Sequence, residues 1–269
     1  MTHPVSQNLL HQKRTNLFIL LSGIFITNAI IAEIIGVKIF SAEKTFGFEP
    51  AQIPLLGDWV LDFDLTAGVL LWPVVFITTD VINEYFGKPG VKKISYLTAG
   101  LILYMFFVLK IVTMLAPADF WLNINREGNA GNDFDIEYAF TKIFTQSIGI
   151  IIGSLVAFLI GQLVDSFVFQ RLRKATGSRH VWMRATGSTL VSQFIDSFVV
   201  LGIAFKLFGN WSWLQLLSVG LLNYIYKFGV AILLTPVIYG AHALIDRYLG
   251  REHAEQMADE ATEKSEGFF

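Results

Sequence analysis

The sequence predicts an all-α integral membrane protein of six transmembrane helices with both termini cytoplasmic, and three observations carry that reading. Of 269 residues, 54% are hydrophobic and only 16% charged, where soluble domains carry about 25% charged residues. The apolar runs are long enough to cross a bilayer and too long for a soluble core. The basic residues are also unevenly placed. Thirteen Lys and Arg lie in the N-terminal segment, the 88–93 segment, the 171–184 segment and the tail, against five on the opposite flanks. Basic connections face the cytoplasm, which places both ends of the chain inside. There is no Cys, so disulfides, thiolate metal ligands and thiol nucleophiles are excluded. A net charge of −2 gives no sign of nucleic-acid binding, and no cofactor is expected. Residues 1–16 read as a cytoplasmic tail, 17–246 as the six-helix membrane domain, and 247–269 as a short charged tail expected to fray. Met1 to Asn16 is polar with no early cleavage pattern, so the first apolar run reads as a retained span.

Taken in order, the first span covers about Leu17 to Ile39 and carries Asn28 and Glu33. Asn28 lies about 21 Å from Arg14 along the helix and is a candidate for the site or a helix contact; Glu33, at about 28 Å, reads equally well as an interfacial side chain. Residues 41–64 hold five carboxylates and short apolar pieces at Phe46–Phe48 and Trp59–Leu61, a hairpin or a membrane-surface segment on the outer side. The second span, Leu65 to Tyr85, contains Pro73, which predicts a kink there. It ends in Thr79-Asp80-Val81-Ile82-Asn83-Glu84-Tyr85-Phe86-Gly87. Asp80, Asn83 and Glu84 share a face at i, i+3 and i+4. Counted from Lys88, Asp80 is about 12 Å deep and Glu84 about 6 Å, where it could be solvated. The third span is Ile94 to Leu115, with Lys110 near its outer end. A polar external loop with turn chemistry at Asn129–Asn132 follows. The fourth span, Ser147 to Phe169, opens with the close-packing pattern Gly149-x-x-x-Gly153, and the fifth runs from Gly187 to Phe208. The sixth, Trp213 to Tyr239, carries Asn223, Tyr226 and Lys227 on one face, with Pro236 late in it.

One short pattern occurs twice, as Gln162-x-x-Asp165-Ser166-Phe167-Val168 and Gln193-x-x-Asp196-Ser197-Phe198-Val199. Between the copies lie Arg171, Arg173, Lys174, Arg179 and Arg184, so the two helices are antiparallel. Both amides then sit about 14 Å above the inner face, with Asp165 near ~9 Å and Asp196 near ~18 Å. That is a small inverted arrangement around a polar layer, the geometry of midplane transport sites. A carboxylate at such depth costs roughly 3 kcal/mol or more unless paired, protonated or wetted. Interhelical glue is the plainer reading of the amides, but two duplicated carboxylates are an expensive way to obtain it. Lys227, deep in its span, needs an anionic partner, and Asp196 on the neighbouring span is the first choice.

At Thr79-Asp80-Val81-Ile82-Asn83-Glu84-Tyr85-x-Gly87 the sequence resembles the queuosine precursor transporter family, also described as vitamin-uptake-like transporters. Gly161-Gln162-x-x-Asp165-Ser166, Ser192-Gln193-x-x-Asp196-Ser197, and Asn223 with Lys227 and Thr235-Pro236-x-x-Tyr239 resemble that family's later motifs. The resemblance implies a bacterial inner-membrane importer of 7-cyano-7-deazaguanine or 7-aminomethyl-7-deazaguanine for tRNA modification. The residues suit such a ligand. A carboxylate accepts adjacent N–H donors, Gln162, Gln193, Asn83 or Asn223 can donate to a carbonyl, and Phe167, Phe198 or Tyr226 offers an aromatic face. The candidate binding residues are therefore Asn28, Asp80, Asn83, Glu84, Gln162, Asp165, Gln193, Asp196, Ser197, Asn223 and Lys227. The expected partners are this small purine-like base and membrane lipid; homo-oligomerisation is left open. The alternative is a substrate-binding membrane subunit for a vitamin or nucleobase that depends on a separate ATP-driven module, since no Walker A pattern occurs. An enzyme is not expected: there is no His-Glu-x-x-His or Gly-x-Ser-x-Gly, and the histidines fall in tails, loops or span ends.

Overall fold

The computed structural model describes residues 4–54, 60–126, 134–145, 148–176 and 181–265. The turn expected at Asn129–Asn132, Trp59 and Arg179 lie outside those residues. Helix α1 runs over Pro4–Ile35, so most of the segment expected as a separate tail is the opening of the first helix. It stops short of Ile39 because the chain turns at Gly36 and enters strand β1, Ile39–Ser41. Helix α2 (Ala42–Thr45) follows, then β2 (Ile53–Pro54), β3 (Val60–Leu61) and β4 (Asp64–Thr66). β1 pairs antiparallel with β4 and β2 with β3, so of the two forms expected for this region the chain takes the hairpin. Glu43 ties this cap together. It accepts from the amides of Phe63 (2.7 Å) and Ala51 (3.3 Å) and from the Ser41 hydroxyl (3.0 Å). The Phe63 amide does most to hold its carboxyl below the usual range.

A 3₁₀ turn at Ala67–Leu70 leads into α3, Trp72–Val112. The second span thus begins later than Leu65, and the kink expected at Pro73 is not there. Pro73 sits in the first turn, where a missing N–H breaks no hydrogen bond. The break comes instead at Gly87, with φ 69° and ψ −173°, ahead of Pro89. Positive φ favours glycine, and a Cβ here would lie 2.6 Å from both the Ala261 carbonyl oxygen and the Ser265 hydroxyl. The arms on either side, 72–86 and 88–112, cover most of the second and third expected spans.

Short helices α4 (Asp119–Ile124) and α5 (Ile136–Phe144) precede α6, Ile148–Thr176. Helix α7, Val181–Leu201, continues as a π-helical stretch over Gly202–Leu207. α6 and α7 pack antiparallel through small residues. A Cβ on Gly149 would lie 2.6 Å from the Phe208 side chain, one on Gly153 3.1 Å from the Val200 carbonyl, and the Gly161 position lies 3.9 Å from Asp196 Cβ. Helix α8 covers Trp213–Leu233. The sixth span does not continue to Tyr239: the helix ends at Leu233, and after Leu234 the chain restarts at Thr235 and Pro236 as α9, Thr235–Leu249. Proline cannot donate back across that joint but opens a new helix readily.

Five helices among the described residues are long and apolar enough to cross a membrane, α3 among them. The core joins Leu17, Leu21, Phe25 and Ala29 of α1 to Val75 and Ile82 of the first α3 arm and Ile94 and Ile102 of the second. Much of the C-terminal segment expected to fray is helical. Arg251–Glu263 forms α10, which buries Ala254, Met257, Ala258 and Ala261. Arg14 of α1 pairs with Glu260 (3.3 Å), and Lys13 donates to the Tyr248 carbonyl (2.9 Å). The N-terminal part of α1 and the C-terminal helices therefore meet at one end of the bundle.

Candidate functional site

The polar side chains buried in the bundle form a graded series along α6. Nearest the end where the termini meet, Glu84 of α3 accepts from Arg173 of α6 and from Arg184 of α7 (2.8 and 2.7 Å). Arg173 also meets Asp259 of α10 at 3.0 Å. Glu84, Arg173 and Arg184 are each at most 4% exposed. Glu84 is thus not solvated, and two of the arginines read as a solvated loop are inside. One buried carboxylate is thus held between two guanidiniums, with the exposed Asp259 as second partner of Arg173, so removing any one member would leave a buried charge uncompensated. Depths counted from Arg184 consequently start from a buried ion group rather than from the membrane surface.

One turn further along α6, Asn83 is fully engaged. Its Oδ1 accepts from the Ser166 hydroxyl (3.2 Å) and from Gln170 (2.9 Å), while Gln170 also donates to the Asn83 carbonyl (2.7 Å). Thr79 donates to Gln162 Oε1 at 3.1 Å. Asp165 accepts from Ser192 of α7 at 3.1 Å, and the hydroxyls of Ser188 and Thr189 also reach it. Asp80, one residue from Thr79, is 1% exposed and its Oδ1 has no hydrogen-bond partner. The charged groups acting on it are Asp165, Glu84 and Arg184. An unmade bond to a buried polar atom costs about 1–3 kcal/mol, more for a charged group, so a position like this demands an explanation.

On α7 the unfilled capacity continues. Gln193 Oε1 and Ser197 Oγ are buried without partners. The salt bridge expected between Asp196 and Lys227 of α8 is formed, at 2.5 Å, with the side chains 24% and 30% exposed. The observed register sets Asp196 beside Gly161, one turn from Asp165, an offset of about 6 Å rather than about 9 Å. Beyond it, Glu33 of α1 is 7% exposed and accepts from Ser154 of α6 at 3.3 Å. It is buried between helices rather than snorkelling, and Asp196 lies within electrostatic reach. Asn28 donates back to the Ile24 carbonyl of its own helix (2.8 Å), and Asn223 is half-buried on α8. Sequence reasoning left Glu33 open and missed Thr79, Ser188, Ser192 and the pairing role of Arg173 and Arg184. Only Thr79 and Ser192 had a signal, as motif neighbours of Asp80 and Gln193.

The site is therefore a set of acceptor atoms and hydroxyls between α3, α6 and α7, closed at one end by a neutralised ion cluster. It has no built metal centre: no group of three or more His, Asp or Glu able to hold an ion occurs among the described residues. Comparison with known proteins bears on what such a site serves. Residues 66–241 match the family model described as "Putative vitamin uptake transporter". The chain is 30% identical over 187 residues to a "Probable queuosine precursor transporter" of Bacillus subtilis (strain 168), covering 68% of this chain and 75% of that one. It is 28% identical to a Haemophilus influenzae protein of the same description over 66% of this chain and 68% of the relative. It is 25% identical to the "Queuosine precursor transporter" of Escherichia coli (strain K12), over 67% and 74%. No solved structure matches. The matched segment opens in strand β4 and closes within α9, so it contains every polar group just described from α3 to α8, and on that evidence this multi-pass membrane chain belongs to the vitamin uptake transporter family.

Proposed function

We propose that the protein imports a queuosine precursor, 7-cyano-7-deazaguanine or 7-aminomethyl-7-deazaguanine, across the bacterial inner membrane. The single observation that carries the reading is the buried trio of unpartnered polar atoms, Asp80 Oδ1, Gln193 Oε1 and Ser197 Oγ, in helices that hold the family motifs. A carboxylate oxygen and an amide carbonyl call for donors, and a deazaguanine supplies adjacent N–H groups on one edge. The names carried by the relatives support that choice over other flat, amide-bearing heterocycles. Binding energy here comes from satisfying groups that cost free energy while the site is empty.

The six-crossing topology belongs to this reading. The break at Gly87 gives α3 two arms, and the basic residues cluster at the end where α1 meets α10. That end faces the cytoplasm. A reporter placed after residue 265 is active only inside; activity only outside would overturn the orientation.

The test of function is uptake of labelled 7-deazaguanines by the chain alone in vesicles. Uptake by the isolated chain makes it a self-sufficient carrier, whereas binding with uptake only after an ATP-driven module is added makes it that module's membrane subunit. Asp80→Asn keeps the side-chain shape and loses the charge, so inserted, folded Asp80→Asn protein should transport nothing measurable. Near-normal uptake by that variant would remove Asp80 from the site.

A further inference from the structure

A groove of about 620 Å³ lies outside the polar series, on the flank of α1. Its mouth is basic: His11, Arg14 and, from α3, Lys93. Its floor is apolar, with Phe18, Ile26 and Phe86 among the lining. Lys93 Nζ sits 5.9 Å over the Phe18 ring and the Arg14 guanidinium 6.0 Å over Phe86, so both cations lean across the carbon floor. Arg14 shares its charge with Glu260 at 3.3 Å; Lys93 has no carboxylate partner among the ion pairs of the described residues.

Length and charge together select an occupant. From Arg14 to Ile26 is twelve helical residues, or about 18 Å. Half of a bilayer's hydrocarbon core is about 15 Å. The groove therefore runs from cations at one membrane surface down one leaflet's depth. Gly23 is exposed in its wall, and a Cβ there would meet nothing within 4 Å, so the floor is open and unfilled by protein. From this geometry we infer that the α1 flank is a binding site for an anionic phospholipid, with the phosphate held by Lys93 and Arg14 and one acyl chain laid along Phe18 and Ile26. The site rests on the multi-pass architecture alone and does not depend on which molecule the bundle transports.

Native mass spectrometry of the full chain in detergent, titrated with phosphatidylglycerol or phosphatidylcholine of matched acyl chains, tests the proposal. Phosphatidylglycerol should be retained at clearly lower concentration than phosphatidylcholine. Lys93→Gln should weaken it about five-fold, the share of one interfacial cation, and leave phosphatidylcholine unchanged. Gly23→Leu, whose Cβ meets open space, should displace both lipids while thermal stability holds. Equal retention of the two lipids, or phosphatidylglycerol binding indifferent to both substitutions, would overturn the site. So would a protein dimer that Gly23→Leu dissolves, because a second copy would then be the occupant. Competition by millimolar glycerol phosphate would also overturn it, by showing a free phosphate site instead of a lipid one.

Discussion

The two copies of the Gln-x-x-Asp-Ser pattern are put to opposite uses. In the first, each polar side chain bonds to a neighbouring helix: Gln162 takes the Thr79 hydroxyl, Asp165 the Ser192 hydroxyl, and Ser166 donates to Asn83. In the second, Gln193 Oε1 and Ser197 Oγ are buried and unused, and Asp196 is tied to a lysine at a half-buried position. The residue types and their spacing are the same. What differs is the packing partner: the first copy, on α6, bonds to α3 and α7, whereas in the second, on α7, only Asp196 finds a side-chain partner among the described residues, Lys227 of α8. The same residue pattern therefore does not fix the same set of contacts. The first copy joins helices, while the second leaves Gln193 Oε1 and Ser197 Oγ unpartnered, which the proposed function assigns to the substrate.

That contrast is sharpest where charge is at stake. Lys227→Met should cost about 1–3 kcal/mol, less than a fully buried pair would, since both partners keep some solvent. At about 2–4 °C per kcal/mol, the melting temperature falls by several degrees. Adding Asp196→Asn should restore part of the loss, because no charge is then left alone. A double-mutant cycle in thermal melts with no coupling between them would break the assignment of Asp196 to a structural pair. Next in size is Gln193→Leu, which should reduce uptake at least ten-fold, about 1.4 kcal/mol, and leave stability within about 0.5 kcal/mol. If instead the protein unfolds and its remaining folded fraction transports normally, the second copy is also a joint. The smallest effect is expected from Ser166→Ala. It should lower stability by about 1 kcal/mol and keep substrate KM within two-fold of the parent. A KM change larger than its stability change would place the first copy in the binding site.

Much of this arrangement was legible in the residues. Scarcity of partners for a deep lysine identified Asp196, and Gly149-x-x-x-Gly153 announced the close seam that α6 forms with α7. Burial of Glu33 was not legible, because α1 is apolar on all sides and residue counting gives depth without direction. Arg173 and Arg184 looked like a basic cytoplasmic loop; only a carboxylate 89 and 100 residues earlier in the chain turns them inward. Asp80, Asn83 and Glu84 share one motif, yet they divide into an unfilled acceptor, a helix joint and an ion pair. Such differences depend on side chains that no local pattern contains. The interruption at Gly87 falls between the expected ends of the second and third spans, but that it is a single left-handed residue rather than a loop was not legible.

Gly87 has a consequence for the order in which the molecule is made. The Lys88 amide next to the break donates to the Ser265 hydroxyl at 2.9 Å, a contact separated by 177 residues in the chain. Arg14 reaches Glu260 across 246 residues. During synthesis, α1 and α3 enter the membrane while both of these partners are still unmade, and the notch beside Gly87 stays open with a backbone donor bare. Insertion of the hydrophobic helices and sealing of the bundle are therefore separate events in time. The second waits for a mostly polar helix that the membrane itself does nothing to retain, and a nascent chain halted before residue 251 should be fully inserted yet susceptible to protease at that unsealed end.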